Sequence, residues 1–126
     1  MKLSITQAIN IKNIFGKMAE EKLPIKLSYK IMKLVTSIEK EEEFFNKKFN
    51  SLIENYGERN EKEEFVYIDE VNIKIKEDKK EECRKEMEEL QTLEIEIPDY
   101  YFTLEELESL SFSPRELFSL DAIIQS

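Results

Sequence analysis

Histidine is absent from this chain of 126 residues, cysteine occurs once, glycine twice and proline three times. Each scarcity closes something off. Without an imidazole the chain lacks the commonest general base, the commonest metal ligand and the usual partner of a serine or cysteine nucleophile. Two isolated glycines, Gly16 and Gly57, cannot build a phosphate-cradling loop, so nucleotide hydrolysis by that route is excluded. The single cysteine, Cys83, forbids an intramolecular disulfide and fits a cytoplasmic setting. Flanked by Glu81, Glu82, Arg84 and Lys85, it has no base to activate it and reads as a small hydrophobe on a helix face. No apolar run approaches the roughly 20 residues a membrane span needs. Lys12, Asn13 and Lys17 also interrupt the beginning of the chain too often for a signal peptide. The expectation is a soluble, cytoplasmic protein with no metal and no cofactor.

Few glycines and prolines also favour long helices over a β fold crowded with tight turns. What the chain has in abundance is charge: 37% of residues are charged and the net charge is -9, yet 40% are hydrophobic, enough to fold. The charge is unevenly spread. Residues 1–36 hold seven lysines against Glu20 and Glu21, net +5; residues 37–85 hold eleven bases against fifteen acids, net -4; residues 86–126 hold Arg115 against eleven acids, net -10. Such a field repels nucleic acid from the last third and attracts basic surfaces there.

The length suits one domain, residues 1–126. Ser4 with Gln7 makes a capping box for a helix over about 5–19, with Ala8, Ile11, Phe15 and Met18 on its apolar face and Gly16 placed where another helix can approach. Pro24 opens a second helix over about 25–56, closed by Gly57 as a left-handed stop. Leu27, Ile31, Leu34, Val35, Ile38, Phe45, Phe49, Leu52, Ile53 and Tyr56 form one stripe along it. Ile25, Tyr29 and Met32 form a shorter one, so that its first half is expected to be covered on two sides. Residues 65–68 and 71–76 read as strands, the second alternating Val71, Ile73 and Ile75 with Asn72, Lys74 and Lys76, although no Asn-Gly or Asp-Gly turn joins them. Asp78 with Glu81 suggests a capping box for a helix over 79–90, and Leu93, Ile95 and Ile97 alternate with glutamates in a strand over 92–97. Thr103 with Glu106, and Ser113 with Pro114 and Glu116, start helices over 104–110 and 114–124. The fold class expected is α+β and mostly helical: a long central helix, helices at both ends, and a small antiparallel sheet of two to three strands.

Glutamate runs such as Glu41–Glu43 raise the ideas of paired catalytic carboxylates or an oxygen-ligand cation site, but neighbours on a helix point to different sides, and a solvated face is the plainer reading. Phe44 lies opposite the main stripe, either buried by the sheet or open as a contact anchor. Of Tyr100, Tyr101 and Phe102, adjacent residues in extended chain face opposite ways, so either at least one stays partly open to a partner or the three roof the core. Lys22, Lys26, Lys30 and Lys33 could touch phosphates, but no base-reading helix accompanies them, so sequence-specific nucleic-acid binding is not expected.

Two stretches, EEKLPIKLSYKIMKLVTSIEKEEEFFNKKFNSLIENYG and LEIEIPDYYFTLEELESLSFSPRELFSLDAII, resemble a family of small uncharacterised proteins of tailed phages and prophages of low-GC Gram-positive bacteria. That family has a glycine-bearing turn near the first strand, where this chain carries Glu63 and Glu64. The resemblance implies a phage-encoded protein acting inside an infected bacterium. It makes a non-enzymatic, anti-CRISPR-like inhibitor of a host defence complex the leading expectation. The partner would be a basic host protein, such as a nucleic-acid-binding effector, whose groove a carboxylate surface occupies as a DNA mimic. Contact residues would be Glu88, Glu89, Glu94, Glu96, Glu105, Glu106 and Glu108, with Tyr100 and Tyr101 as apolar anchors. The rival expectation is a virion assembly or tail-associated protein that forms a homo-oligomer through the long helix.

Overall fold

In the computed structural model, which describes residues 1–125, the chain enters as a short strand before its first helix. Strand β1 (Lys2–Ser4) pairs antiparallel with β2 (Glu94–Glu96), Leu3 opposite Ile95. Leu3 and Ile95 are buried while Lys2, Glu94 and Glu96 face solvent, the period-two alternation of a one-sided sheet. Three residues are too few to set a period, which is why β1 is invisible in the sequence.

Ser4 then caps α1 (Ile5–Gly16). Its Oγ accepts the Gln7 N–H at 3.1 Å, and the Gln7 side chain accepts the Ser4 N–H at 3.0 Å. Ile5, Ala8, Ile11, Ile14 and Phe15 form the buried face. The helix ends at Gly16, short of residue 19, because the N–H groups of Lys17, Met18 and Ala19 turn to carbonyls three residues back at 3.3, 3.0 and 3.3 Å.

The long helix α2 (Ile25–Tyr56) has 32 residues, roughly 48 Å at 1.5 Å per residue. It contributes to two compact units, one of Met1–Glu42 with the chain from Glu94 onward, the other of Glu43–Leu93.

The first unit also holds β3 (Phe102–Thr103), the short α4 (Leu104–Leu107), α5 (Pro114–Leu120) and β4 (Ile124–Gln125). Besides the antiparallel β1–β2 pair there is a parallel one, β3 with β4, Phe102 opposite Ile124, which the expectation of an antiparallel sheet did not include. Here α5 gives way at Leu120 to a 3-10 turn, Asp121–Ile123, after which Ile124 extends beside Phe102 in place of a helix continuing to 124. Ile5, Ile11, Leu34, Ile38, Phe102, Leu120 and Ile123 are fully buried, and each such side chain contributes roughly 1.5–3 kcal/mol of burial. The Phe15 ring lies 5.4 Å from Phe102 and meets Phe112 edge-on at 6.3 Å.

In the second unit, residues 57–59, 65–67 and 73–75 pair in a ring. Glu58 N–H donates to the Lys74 carbonyl at 2.8 Å, Val66 N–H to Glu58 at 2.9 Å and Lys74 N–H to Val66 at 2.7 Å. The bridges Gly57–Ile75, Arg59–Phe65 and Tyr67–Ile73 are all antiparallel. In a flat sheet of three strands two must run parallel, so three mutually antiparallel segments cannot be coplanar. Each pairing is held to a single bridge, and the two strands expected at 65–68 and 71–76 are reduced to bridges for that reason. The turn between the latter two is closed by Asp69, whose carboxylate accepts the N–H groups of Val71 and Asn72 at 2.9 and 2.8 Å and the Asn72 side chain at 2.7 Å.

Gly57 does end α2, but not in the left-handed conformation expected of it. Its lack of Cβ is needed for close approach instead: a Cβ there would stand 2.6 Å from the Ile53 carbonyl and 2.8 Å from the Phe65 ring. The left-handed residue is Glu63, with φ of 63°. After a 3-10 turn at Glu77–Lys79 comes α3 (Lys80–Gln91), whose start lacks the expected Asp78–Glu81 box. The Glu81 carboxylate is turned the other way, onto Arg84 at 2.6 and 3.2 Å.

Candidate functional site

From Glu94 onward Arg115 is the only base against eight acids, and the fold divides those acids into two sets. Glu96 and Asp99 meet the amino group of Met1 at 3.3 and 2.6 Å. Glu106 accepts Lys30 Nζ at 3.1 Å on both oxygens and closes the Thr103 capping box, its Oε1 3.0 Å from the Thr103 N–H. Glu116 accepts Lys17 Nζ at 3.2 Å and the Ser113 N–H at 2.9 Å. Glu94, Glu105, Glu108 and Asp121 are exposed and make no ion pair among the described residues.

Packing explains the sorting. Strand β2 turns Glu94 and Glu96 outward because Ile95 and Ile97 are needed in the core. The same alternation runs through the aromatic stretch: Phe102 is fully buried, Tyr101 is 40% exposed and Tyr100 half-buried. Lys30, besides binding Glu106, lies 4.7 Å above the Phe102 ring, so one lysine joins the cap of α4 to the core aromatic. The Thr103 N–H first, and Lys30 after it, hold Glu106 below the usual carboxylate range; the Ser113 N–H and then Lys17 do the same for Glu116.

Glu88 and Glu89 belong to the second unit. Glu88 pairs with Arg84 at 3.1 Å, and Glu89 borders a groove of about 440 Å³ with Phe44, Lys48, Leu52, Leu90 and Leu93. Phe44 is 45% exposed there, with the Lys48 ammonium 5.6 Å from its ring, so of burial by a sheet and exposure it shows exposure.

Among the carboxylates, Asp69, Glu77, Glu81, Glu106 and Glu116 are held below the usual range by the hydrogen bonds and cations that face them. Burial, with the Glu86 charge nearby, raises the Cys83 thiol, so it stays protonated. Among the described residues no group of three or more acids or Cys83 is arranged to hold a metal ion, and no helix is long and apolar enough to cross a membrane.

The stripe Ile25, Tyr29 and Met32, expected to lie under a neighbouring element, is open, at 87%, 57% and 52% exposure. The i, i+4, i+7 spacing showed that a stripe existed, but the spacing of residues within one helix carries no information about what packs on it. Compared with protein-family models, curated proteins and solved structures, the chain matches none.

Proposed function

We propose that this chain is a non-enzymatic binding protein that inhibits a host antiviral defence complex by stoichiometric contact, its carboxylate surface occupying a basic groove of a nucleic-acid-binding effector. The observation that carries the reading is the set of exposed, uncompensated carboxylates Glu94, Glu105 and Glu108 in the unit that also presents Tyr101. Uncompensated acids at a surface favour a cationic partner, and a half-exposed tyrosine supplies apolar contact at low entropic cost. Duplex DNA carries one charge per about 1.7 Å of axis, and exposed glutamates compete with it for the same arginines and lysines. The phage setting comes from the resemblance of residues 20–57 and 93–124, and the host cytoplasm would be the place of action.

Glu106 supports α4 and Lys30, so it contributes to the field more than to direct contact. Affinity purification of the tagged full chain from infected or lysogenic cells, repeated at low and high salt, tests the reading. A nuclease or effector subunit should be retained one-to-one at low salt and released at high salt, and Glu94→Lys/Glu105→Lys/Glu108→Lys should lose it. Retention of that subunit by the charge-reversed variant, or turnover of a substrate by pure protein, would refute it. Co-purifying tail components with salt-resistant self-association would favour the assembly role instead.

A further inference from the structure

The most exposed aromatic side chain among the described residues is Phe118, at 82%, in the last turn of α5. It borders a pocket of about 390 Å³ where α5 and the 3-10 turn after it pack beside α1, all within the first unit. The rest of the lining is Gln7 and Asn10 from α1, with Ser119, Asp121 and Ala122 from the other wall. Residues three apart on a helix share a face. Gln7 with Asn10, and Phe118 with Asp121, have that spacing, so each wall turns two side chains the same way, and the small Ser119 and Ala122 leave room between them.

Charge within this lining has one sign. Asp121 is its one charged residue, exposed and without an ion pair or a side-chain hydrogen bond among the described residues. No lysine lines the pocket, and Arg115, the base on α5, stands outside it. Two further features carry the same sign. The face of the Phe118 ring is the negative part of its quadrupole, and Asp121 caps the carboxyl end of α5, where the helix dipole is negative. A phosphate or carboxylate is repelled by all three, and a cation is attracted by all three.

The shape of the lining distinguishes between cations. A guanidinium is planar and weakly hydrated, so it can stack on an open ring while its N–H groups fork onto a carboxylate. An ammonium is a compact, strongly hydrated charge that gains less from a ring it must share with water. Acceptors for the remaining N–H groups are at hand, because the Asn10 side chain is exposed and has no hydrogen-bond partner among the described residues. Gln7 and Ser119 are already engaged: the Gln7 side-chain oxygen accepts the Ser4 N–H at 3.0 Å, and the Ser119 hydroxyl donates to the Arg115 carbonyl at 3.2 Å.

We infer that this pocket receives an arginine side chain of a partner protein, its guanidinium stacked on Phe118 and paired with Asp121, with the Asn10 carbonyl accepting a further N–H. Glu94, Glu105 and Glu108 do not line it, so an arginine binds here whether or not those acids meet a host effector.

The test is titration of the isotope-labelled full chain with blocked glycine pentapeptides whose central residue is arginine, lysine or citrulline, the neutral isostere of arginine, followed by amide chemical shifts. At about 0.15 M salt, charges beyond roughly 8 Å are screened, so the overall field does not drive binding by itself. The arginine peptide should shift the amides of Asn10, Ser119 and Asp121 saturably and bind about tenfold more tightly than citrulline and about threefold more tightly than lysine. Asp121→Asn should weaken it about tenfold and Phe118→Ala about threefold, while Phe118→Tyr, which keeps the ring, should bind as the wild type does. Both positions are exposed, and otherwise unchanged spectra show that the variants fold. The arginine–citrulline comparison on the wild type needs no variant at all. Glu94→Lys/Glu105→Lys/Glu108→Lys should keep the arginine peptide, which separates failure of this pocket from failure of the acidic surface. Equal binding of arginine and citrulline would overturn the inference, as would arginine binding indifferent to Asp121→Asn or no shift with any peptide. So would saturable shifts of the same amides with glucose or adenosine, which would make Phe118 a platform for a sugar or a base.

Discussion

Glycine at two positions has opposite consequences, and the difference is measurable. At Gly16 the added methyl group of alanine enters open space and the helix gains propensity, so Gly16→Ala is expected to raise stability by about 0.5–1 kcal/mol in urea unfolding. At Gly57 the same methyl group collides with the Ile53 carbonyl, a backbone atom that cannot swing aside, and with Phe65; Gly57→Ala is expected to destabilise by about 1–3 kcal/mol. Glu63 presents the converse. It holds a left-handed φ that costs a side-chain-bearing residue about 1 kcal/mol, within a turn whose Asn60 carboxamide accepts the Lys62 and Glu64 N–H groups. Glu63→Gly should therefore leave the turn intact and raise the thermal midpoint, and a drop would show that the turn relaxes at no cost. The sequence marks Gly57 as special, but left-handed termination and close approach give the same letter, and only the position of Phe65 separates them.

At the scale of elements, the caps are the most legible part of the fold. Ser4–Gln7, Thr103–Glu106 and Ser113–Glu116 each close in both directions, because a capping box needs only residues three apart. Asp78–Glu81 has the same spacing and does not close, since Asp78 lies inside the 3-10 turn Glu77–Lys79 and Lys79 takes the cap position, leaving Glu81 to Arg84. The boxes of α4 and α5 make stability depend on pH. Glu106 and Glu116 titrate lower in the folded chain than in the unfolded one, so their contribution is complete above the ordinary glutamate range, near about 4.3, and is lost as pH falls through it and below. The wild type is expected to lose stability more steeply below about pH 5 than Glu106→Gln/Glu116→Gln, and equal slopes in acid unfolding would remove the caps from the explanation. Strands are the least legible elements. β1, β3 and β4 have two or three residues each, and the ring at Glu58, Val66 and Lys74 satisfies its hydrogen bonds without a ladder.

For the molecule as a whole, Phe102 is the point where core and surface meet: fully buried, 5.4 Å from Phe15, under the Lys30 ammonium, and next in sequence to exposed Tyr101. Phe102→Ala is expected to cost about 3–5 kcal/mol, seen as a shift in the denaturation midpoint, while Tyr101→Ala should change stability by less than about 1 kcal/mol. A large loss from Tyr101→Ala would make it a core residue and remove it as an anchor. Composition alone established that this chain carries no imidazole, no phosphate loop and a field that turns from basic to acidic along its length, since these depend on residue counts. Periodicity and cap spacing established the helices, since those depend on neighbours a few residues apart. Which carboxylates are spent and which stay free, and that the Ile25–Tyr29–Met32 stripe is open, only the tertiary structure decided. Lys30 finds Glu106 across 76 positions and Lys17 finds Glu116 across 99, and pairing or burial over such separations is set by how elements pack, which no local pattern encodes.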